Sequence, residues 1–113
     1  MTVATKKLLL YVREAGESIL QHTAGRSFAQ YSGDRFFRRA VEREFEIIGE
    51  ALNRIDRLDS EIAARISELR QIVDFRNRII PGYDTIDDAV VWGIIEKRLP
   101  VLVDDVTSLL QPS

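Results

Sequence analysis

The sequence predicts an all-α protein, an up-and-down helical bundle of about five helices. Three observations point there. Apolar residues recur at i, i+3, i+4 and i+7 in separate stretches along the chain, charged residues fill the intervening faces, and no alternating strand pattern runs longer than the helical ones. A chain of 113 residues fits one domain, spanning 1–113, and 45% hydrophobic residues suffice for a small core that a dimer would enlarge.

From Val3 to Thr23, Leu8, Val12, Ala15 and Ile19 share one face, with Leu9, Leu10, Tyr11 and Leu20 widening it. Lys6, Lys7, Arg13, Glu14 and Glu17 occupy the other face, and Ala24-Gly25 supplies a stop. Arg26–Gly33 reads as a loop with one helical turn at most, pinned by Phe28 and Tyr31. Asp34 is placed to cap the clearest helix, in which Phe37, Val41, Phe45, Ile48, Leu52 and Ile55 align while Phe36, Ala40, Ile47 and Ala51 broaden the stripe. Its polar face is rich in opposite charges four apart, such as Arg38 and Glu42. Gly49 inside this helix costs about 1 kcal/mol relative to alanine, which a close approach of another helix would offset. Glu50 beside it is read either as a polar group at that contact or as a solvated helix residue.

After the connector Arg57-Leu58-Asp59, Asp59 or Ser60 caps a short helix through Arg65. Ile66, Leu69, Ile72, Val73, Ile79 and Ile80 mark a helix from Ser67 to Ile79, and Pro81-Gly82 suits the centre of a type II turn. Thr85 and Asp88 resemble a capping box ahead of a helix from Ile86 to Arg98, and Pro100 opens a last helix with Val103, Val106 and Leu110 on one face.

Composition narrows the chemistry. Without cysteine there is no disulfide framework, thiolate nucleophile or zinc–sulfur site. His22 is the single histidine and has Ile19, not glutamate, three residues before it, so the Glu-x-x-His pairs of a di-iron bundle are missing. Asp84, Asp87 and Asp88 could hold magnesium, but carboxylates at a helix start ordinarily act as caps and dipole partners. No cofactor or metal is expected. A net charge of −2 argues against blanket binding of nucleic acid, though a local basic patch is compatible with it. No apolar run approaches the roughly 18 residues of a membrane span, and no signal-peptide layout opens the chain, so a soluble, cytoplasmic protein is expected.

One stretch stands apart: Arg76-Asn77-Arg78-Ile79-Ile80-Pro81-Gly82-Tyr83 gathers two guanidinium groups, an amide and a phenol before a helix-stopping Pro-Gly. Arginine's planar fork suits phosphate and the charge that develops on a phosphorane, and Asn77 can donate to a phosphoryl oxygen. The competing reading is that Arg76 and Arg78 favour the negative end of their helix dipole and pair with Asp74 or Asp84.

The run Arg76-Asn77, Ile79, Gly82-Tyr83-Asp84, then Ile86-Asp87, Val91-Trp92, Leu99-Pro100 and Leu102 resembles the HepT-like toxins of the HEPN superfamily. Arg39-Ala40-Val41-Glu42-Arg43 leading to Ile47-Ile48-Gly49-Glu50-Ala51 agrees, so the resemblance spans Arg38 to Leu110. It implies the same helical bundle and a toxin of a toxin–antitoxin pair, acting as a homodimeric, metal-independent endoribonuclease on tRNA or mRNA. It further implies a nucleotidyltransferase-type antitoxin that adds AMP to the motif tyrosine. The family signature is Arg, four residues, His, one residue, Tyr. Arg76 and Tyr83 match it, and Pro81 stands where the histidine would be.

By that carry-over Arg76 and Asn77 are catalytic residues, Arg76 and Arg78 bind the RNA phosphate, and Tyr83 is the modified residue, expected to be reachable by solvent. The departure at Pro81 matters because metal-free RNA cleavage needs an acid–base group near neutrality, and proline has neither a titratable group nor an N–H. Nothing in the sequence brings His22 to the turn as a substitute. Two further readings stay open: a non-catalytic dimeric module that contacts RNA or the antitoxin, and a helical structural protein whose motif is idle.

Overall fold

The computed structural model describes residues 1–78 and 87–112. The expectations placed on Ile79, Ile80, Pro81, Gly82, Tyr83, Asp84, Thr85 and Ile86 lie outside these residues. Among the described residues the chain forms helices and no strand: α1 (Val3–Thr23), α2 (Phe28–Ser32), α3 (Arg35–Leu58), α4 (Ser60–Ala63), α5 (Leu69–Arg78), α6 (Asp88–Lys97) and α7 (Leu99–Leu110). Five are long and two are single turns, so the all-α helical bundle stands.

Local chemistry sets most of the boundaries. Thr2 caps α1 by accepting from the Thr5 amide at 3.2 Å, and the helix ends at Ala24 with Gly25 at φ 75°, a left-handed conformation that suits glycine. The segment read as a loop contains α2, started by a capping box in which the Ser27 hydroxyl accepts from the Gln30 amide while the Gln30 side chain accepts from the Ser27 amide. Asp34 caps α3 as expected, accepting from the Phe37 amide at 3.0 Å. Asp59 caps α4 in the same way. The Ser67 amide and hydroxyl both donate to Asp105 on α7, at 3.0 and 2.8 Å, which delays the start of α5 to Leu69. The cap of α6 is Asp87, whose carboxylate accepts from the Ala89 amide at 2.9 Å. Pro100 lies in the first turn of α7, where its missing N–H costs nothing.

The core runs through α1, α3, α5, α6 and α7. Leu9, Val12, Ile19, Phe45, Ile48, Leu52, Ile55, Ile72, Val91, Leu99, Leu102 and Val106 are almost wholly excluded from solvent. Each such burial stabilises by roughly 1.5–3 kcal/mol before entropy is counted. α1 packs on α3 and α7, α5 packs on α3, and α6 packs on α7. Ser18 and His22 near the end of α1 line a groove with Phe37 and Val41 near the start of α3, while Leu8 and Tyr11 meet Ala51 and Arg54, so the two long helices run antiparallel. Tyr31 pins α2 as expected, with ring centroids 5.5 Å from Phe37 and 5.4 Å from Trp92. Its hydroxyl is buried without a hydrogen-bond partner among the described residues.

Three features of α3 differ from the periodicity argument. Phe36 is 89% exposed, because it sits one step, 100°, off the Phe37–Val41–Phe45 stripe at an end with nothing packed over it. Glu42 is buried rather than solvated, and it pairs at 3.1 Å with Arg39 instead of Arg38. Arg38 instead donates to the Ser32 carbonyl, closing the α2–α3 corner.

Candidate functional site

The last turn of α5 is held against the middle of α3. Phe75 is buried edge-to-face on Phe45, with centroids 5.0 Å apart, and this sets the rotation of α5 about its axis. Arg76, one step round the helix, then falls over Gly49. A Cβ at position 49 would lie 2.5 Å from Arg76 Cβ and 2.9 Å from its Cδ, so only glycine admits the arginine here. The close approach inferred from Gly49 is therefore real, and its specific content is the Arg76 side chain.

Arg76 is 23% exposed. Its guanidinium lies 3.6 Å from Glu50 Oε2 on α3, and its Nη1 donates to Asn77 Oδ1 at 3.4 Å. Its Nε is buried and makes no hydrogen bond among the described residues. Among the described residues Arg76 pairs with Glu50 rather than with the Asp74 that the dipole argument offered, and Asp84 lies outside these residues. Glu50 is thus a polar group at the helix contact, though still 52% exposed. Its other oxygen is 4.0 Å from Arg54, and Arg43 pairs with Glu46 at 3.2 Å.

These groups border an open cleft of about 270 Å³, walled by Leu8 and Tyr11 of α1 and by α3. Arg43, Arg54 and Arg76 face it with Glu46 and Glu50, a surplus of one positive charge, and both carboxylates are engaged by arginine. Such an arrangement can bind an anion and stabilise negative charge that develops on it. Among the lining residues there is no histidine to serve as a group titrating near neutrality.

The other predicted residues divide. Asn77 and Arg78 are exposed at the end of α5, and Asn77 alone touches Arg76. Pro81 and Tyr83 lie outside the described residues. His22 is exposed, its Nδ1 2.7 Å from the Ser18 carbonyl, and it lines a neighbouring groove of about 370 Å³ rather than the Arg76 cleft. Asp87 caps α6 and Asp88 accepts from the Ser32 hydroxyl at 3.1 Å. Arg43, Arg54 and Tyr11 were not singled out from the sequence as site residues. The legible signal was the spacing of Glu50 and Arg54, one turn apart beside Gly49.

With an arginine set into α3 at a glycine and completed by a neighbouring glutamate and asparagine, comparison with known proteins becomes informative. The family model described as ribonuclease HepT-like matches residues 12–109, which include all of these groups. The chain belongs to the HepT-like ribonuclease family. It is 27% identical to a candidate RNase of Caldanaerobacter subterraneus over 91% of each chain. It is also 27% identical to a candidate RNase of Methanocaldococcus jannaschii, over 89% of this chain and 92% of the relative. A second protein of that organism, named as a gamma-glutamylcyclotransferase and candidate RNase, is 25% identical over 94% of this chain but only 47% of its own length. No solved structure matches the chain significantly. Among the described residues of this HepT-like chain no helix is long and apolar enough to cross a membrane.

Proposed function

We propose that this HepT-like chain is the toxin of a HEPN and minimal-nucleotidyltransferase pair, a metal-independent endoribonuclease for tRNA or mRNA whose chemistry is impaired at Pro81. The observation that carries the reading is the Gly49 notch, which fixes Arg76 in a cleft shared with Arg43 and Arg54. A helix need not forgo a Cβ at the cost of about 1 kcal/mol to bury a surface arginine that only balances a dipole.

In this reading a phosphodiester docks on Arg76, with Arg78 contacting the same strand. Asn77 steadies the guanidinium and offers its amide to a phosphoryl oxygen. The ribose 2′-hydroxyl attacks the adjacent phosphorus, the phosphorane charge falls on Arg76, and the 5′-oxygen leaves. Because proline stands at position 81 in place of the family histidine, solvent water must accept the 2′-hydroxyl proton and supply one to the leaving 5′-oxygen. The loss of one positioned acid–base group costs about 10²–10⁴-fold in rate. The working form is a homodimer in the cytoplasm, in which two Arg76–Asn77 pairs are apposed, and a nucleotidyltransferase antitoxin adds AMP to Tyr83. Pro81 also favours one alternative, a non-catalytic dimeric module that keeps the basic cleft and the contacts to RNA or antitoxin.

The test is cleavage of bulk tRNA in EDTA by the chain itself, by Pro81→His, and by Pro81→His with Arg76→Ala. Cleavage by Pro81→His alone is the expected result. Silence from all three proteins would overturn the nuclease reading in favour of the binding module.

A further inference from the structure

The Arg76 cleft does not end at its own walls. Leu8, Tyr11 and Arg54 border both it and a second hollow of about 280 Å³, which continues along α1 and α3 to Lys7 and Leu58. The two form one groove with Arg76 at one end. Tyr11 stands at the divide, 44% exposed, while Leu8 and Val12 beside it on α1 are buried. The Lys7 ammonium is 5.9 Å from the Tyr11 ring centroid. Across the groove the Arg54 side chain is 59% exposed, and its link to Glu50, at 4.0 Å, is a loose one.

This exposed ring, with the Lys7 ammonium over one face and Arg54 across the groove, is continuous with the arginine cleft on a chain of net charge −2. Its chemistry is that of single-stranded nucleic acid, in which the cations meet phosphates and the ring takes the face of an unpaired base. A duplex offers no free base face to such a ring. We infer that the α1/α3 groove is the path of single-stranded RNA running from the Arg76 cleft, with Tyr11 stacking one base and Lys7 and Arg54 holding its phosphates. The inference rests on the nuclease reading for the identity of the strand, since Arg76 is what makes the groove lead to a reacting phosphate. Tyr11, Lys7 and Arg54 are positioning residues, and the reacting atoms stay at Arg76.

The experiment measures fluorescence anisotropy of a short labelled single-stranded RNA, and of its duplex, against the chain and against Tyr11→Ala, Tyr11→Phe and Lys7→Ala/Arg54→Ala. Light scattering and far-UV circular dichroism are recorded for each protein, and the substitutions are repeated with Pro81→His for cleavage. Loss of stacking should weaken single-strand binding about tenfold in Tyr11→Ala and leave Tyr11→Phe near the starting affinity. The double substitution should weaken binding and flatten its dependence on salt. Unchanged single-strand affinity in a folded Tyr11→Ala protein overturns the inference, as does an equal loss for the duplex. A lowered mass for Tyr11→Ala also overturns it, because the face would then belong to a second copy of the chain. Cleavage that ignores Tyr11 sinks the groove and leaves the nuclease standing, whereas Tyr11-dependent binding with no cleavage by any protein sinks the nuclease and leaves the groove.

Discussion

Replacing Gly49 by alanine sets two known effects against each other at one atom. On propensity alone the change favours α3 by about 1 kcal/mol, since glycine is the poorer residue in a helix interior. The new methyl, however, would lie 2.5 Å from Arg76 Cβ, an atom fixed to the α5 backbone and unable to swing aside. α5 must therefore move away from α3 by a substantial fraction of an ångström, loosening the Phe45–Phe75 contact, and such overpacking costs typically about 1–3 kcal/mol. The net expectation is a destabilisation of about 0–2 kcal/mol, or a melting temperature unchanged to several degrees lower for a chain of this size. The functional effect should be larger than the thermal one, because displacement of a charge-stabilising group by about 1 Å can cost on the order of 10²-fold in rate. The decisive assay is a double-mutant cycle by thermal or urea unfolding. Arg76→Ala removes Cγ and Cδ but keeps Cβ, so Gly49→Ala should cost less in that background, with a coupling of about 0.5 kcal/mol or more. A single Gly49→Ala protein that melts several degrees higher, with no coupling to position 76, would refute the claim that the glycine exists to seat the arginine.

Other perturbations have separate readouts. Tyr31→Phe removes a buried hydroxyl that has no partner among the described residues, and it should stabilise by about 1 kcal/mol in equilibrium unfolding. Burial, with Glu42 and Asp88 adding repulsion, pushes the Tyr31 phenol well above its ordinary 10.0. The unfolded chain therefore releases that proton first as pH rises past about 10, stability falls there, and Tyr31→Phe should reduce the alkaline loss. Glu50→Gln should leave the melting temperature within about 4 °C, since ion pairs this exposed contribute roughly 0–1 kcal/mol. The same change should lower cleavage by Pro81→His several-fold through a looser Arg76, and equal rates would rule out a positioning role for Glu50. Asp34→Ala should cost about 1 kcal/mol in urea unfolding through loss of the α3 cap, and no change in midpoint would contradict the hydrogen bond to Phe37.

These predictions separate what the residue string makes visible from what only packing decides. Helix order, the Asp34 cap, the Gly25 stop and the buried stripe of α3 follow from rules that act within a few residues, so they are legible before any coordinates exist. The errors fall where a neighbour outside that range chooses between local options. Glu42 belongs to the polar face by periodicity, yet it is buried and paired with Arg39, while Arg38 reaches Ser32. Asp88 reads as a partner in the cap of α6, yet its neighbour Asp87 is the cap, accepting from the Ala89 amide. Gly49 lies between these cases. Its cost is local and marks a close approach, but residue 76 as its partner requires Phe75 to lock against Phe45 and set the rotation of α5. A motif arginine can therefore be found from spacing, whereas the surroundings that tune it cannot. Glu50, Arg54 and Tyr11 reach the same cleft because α1 and α3 run antiparallel, and that register arises from the core beneath them.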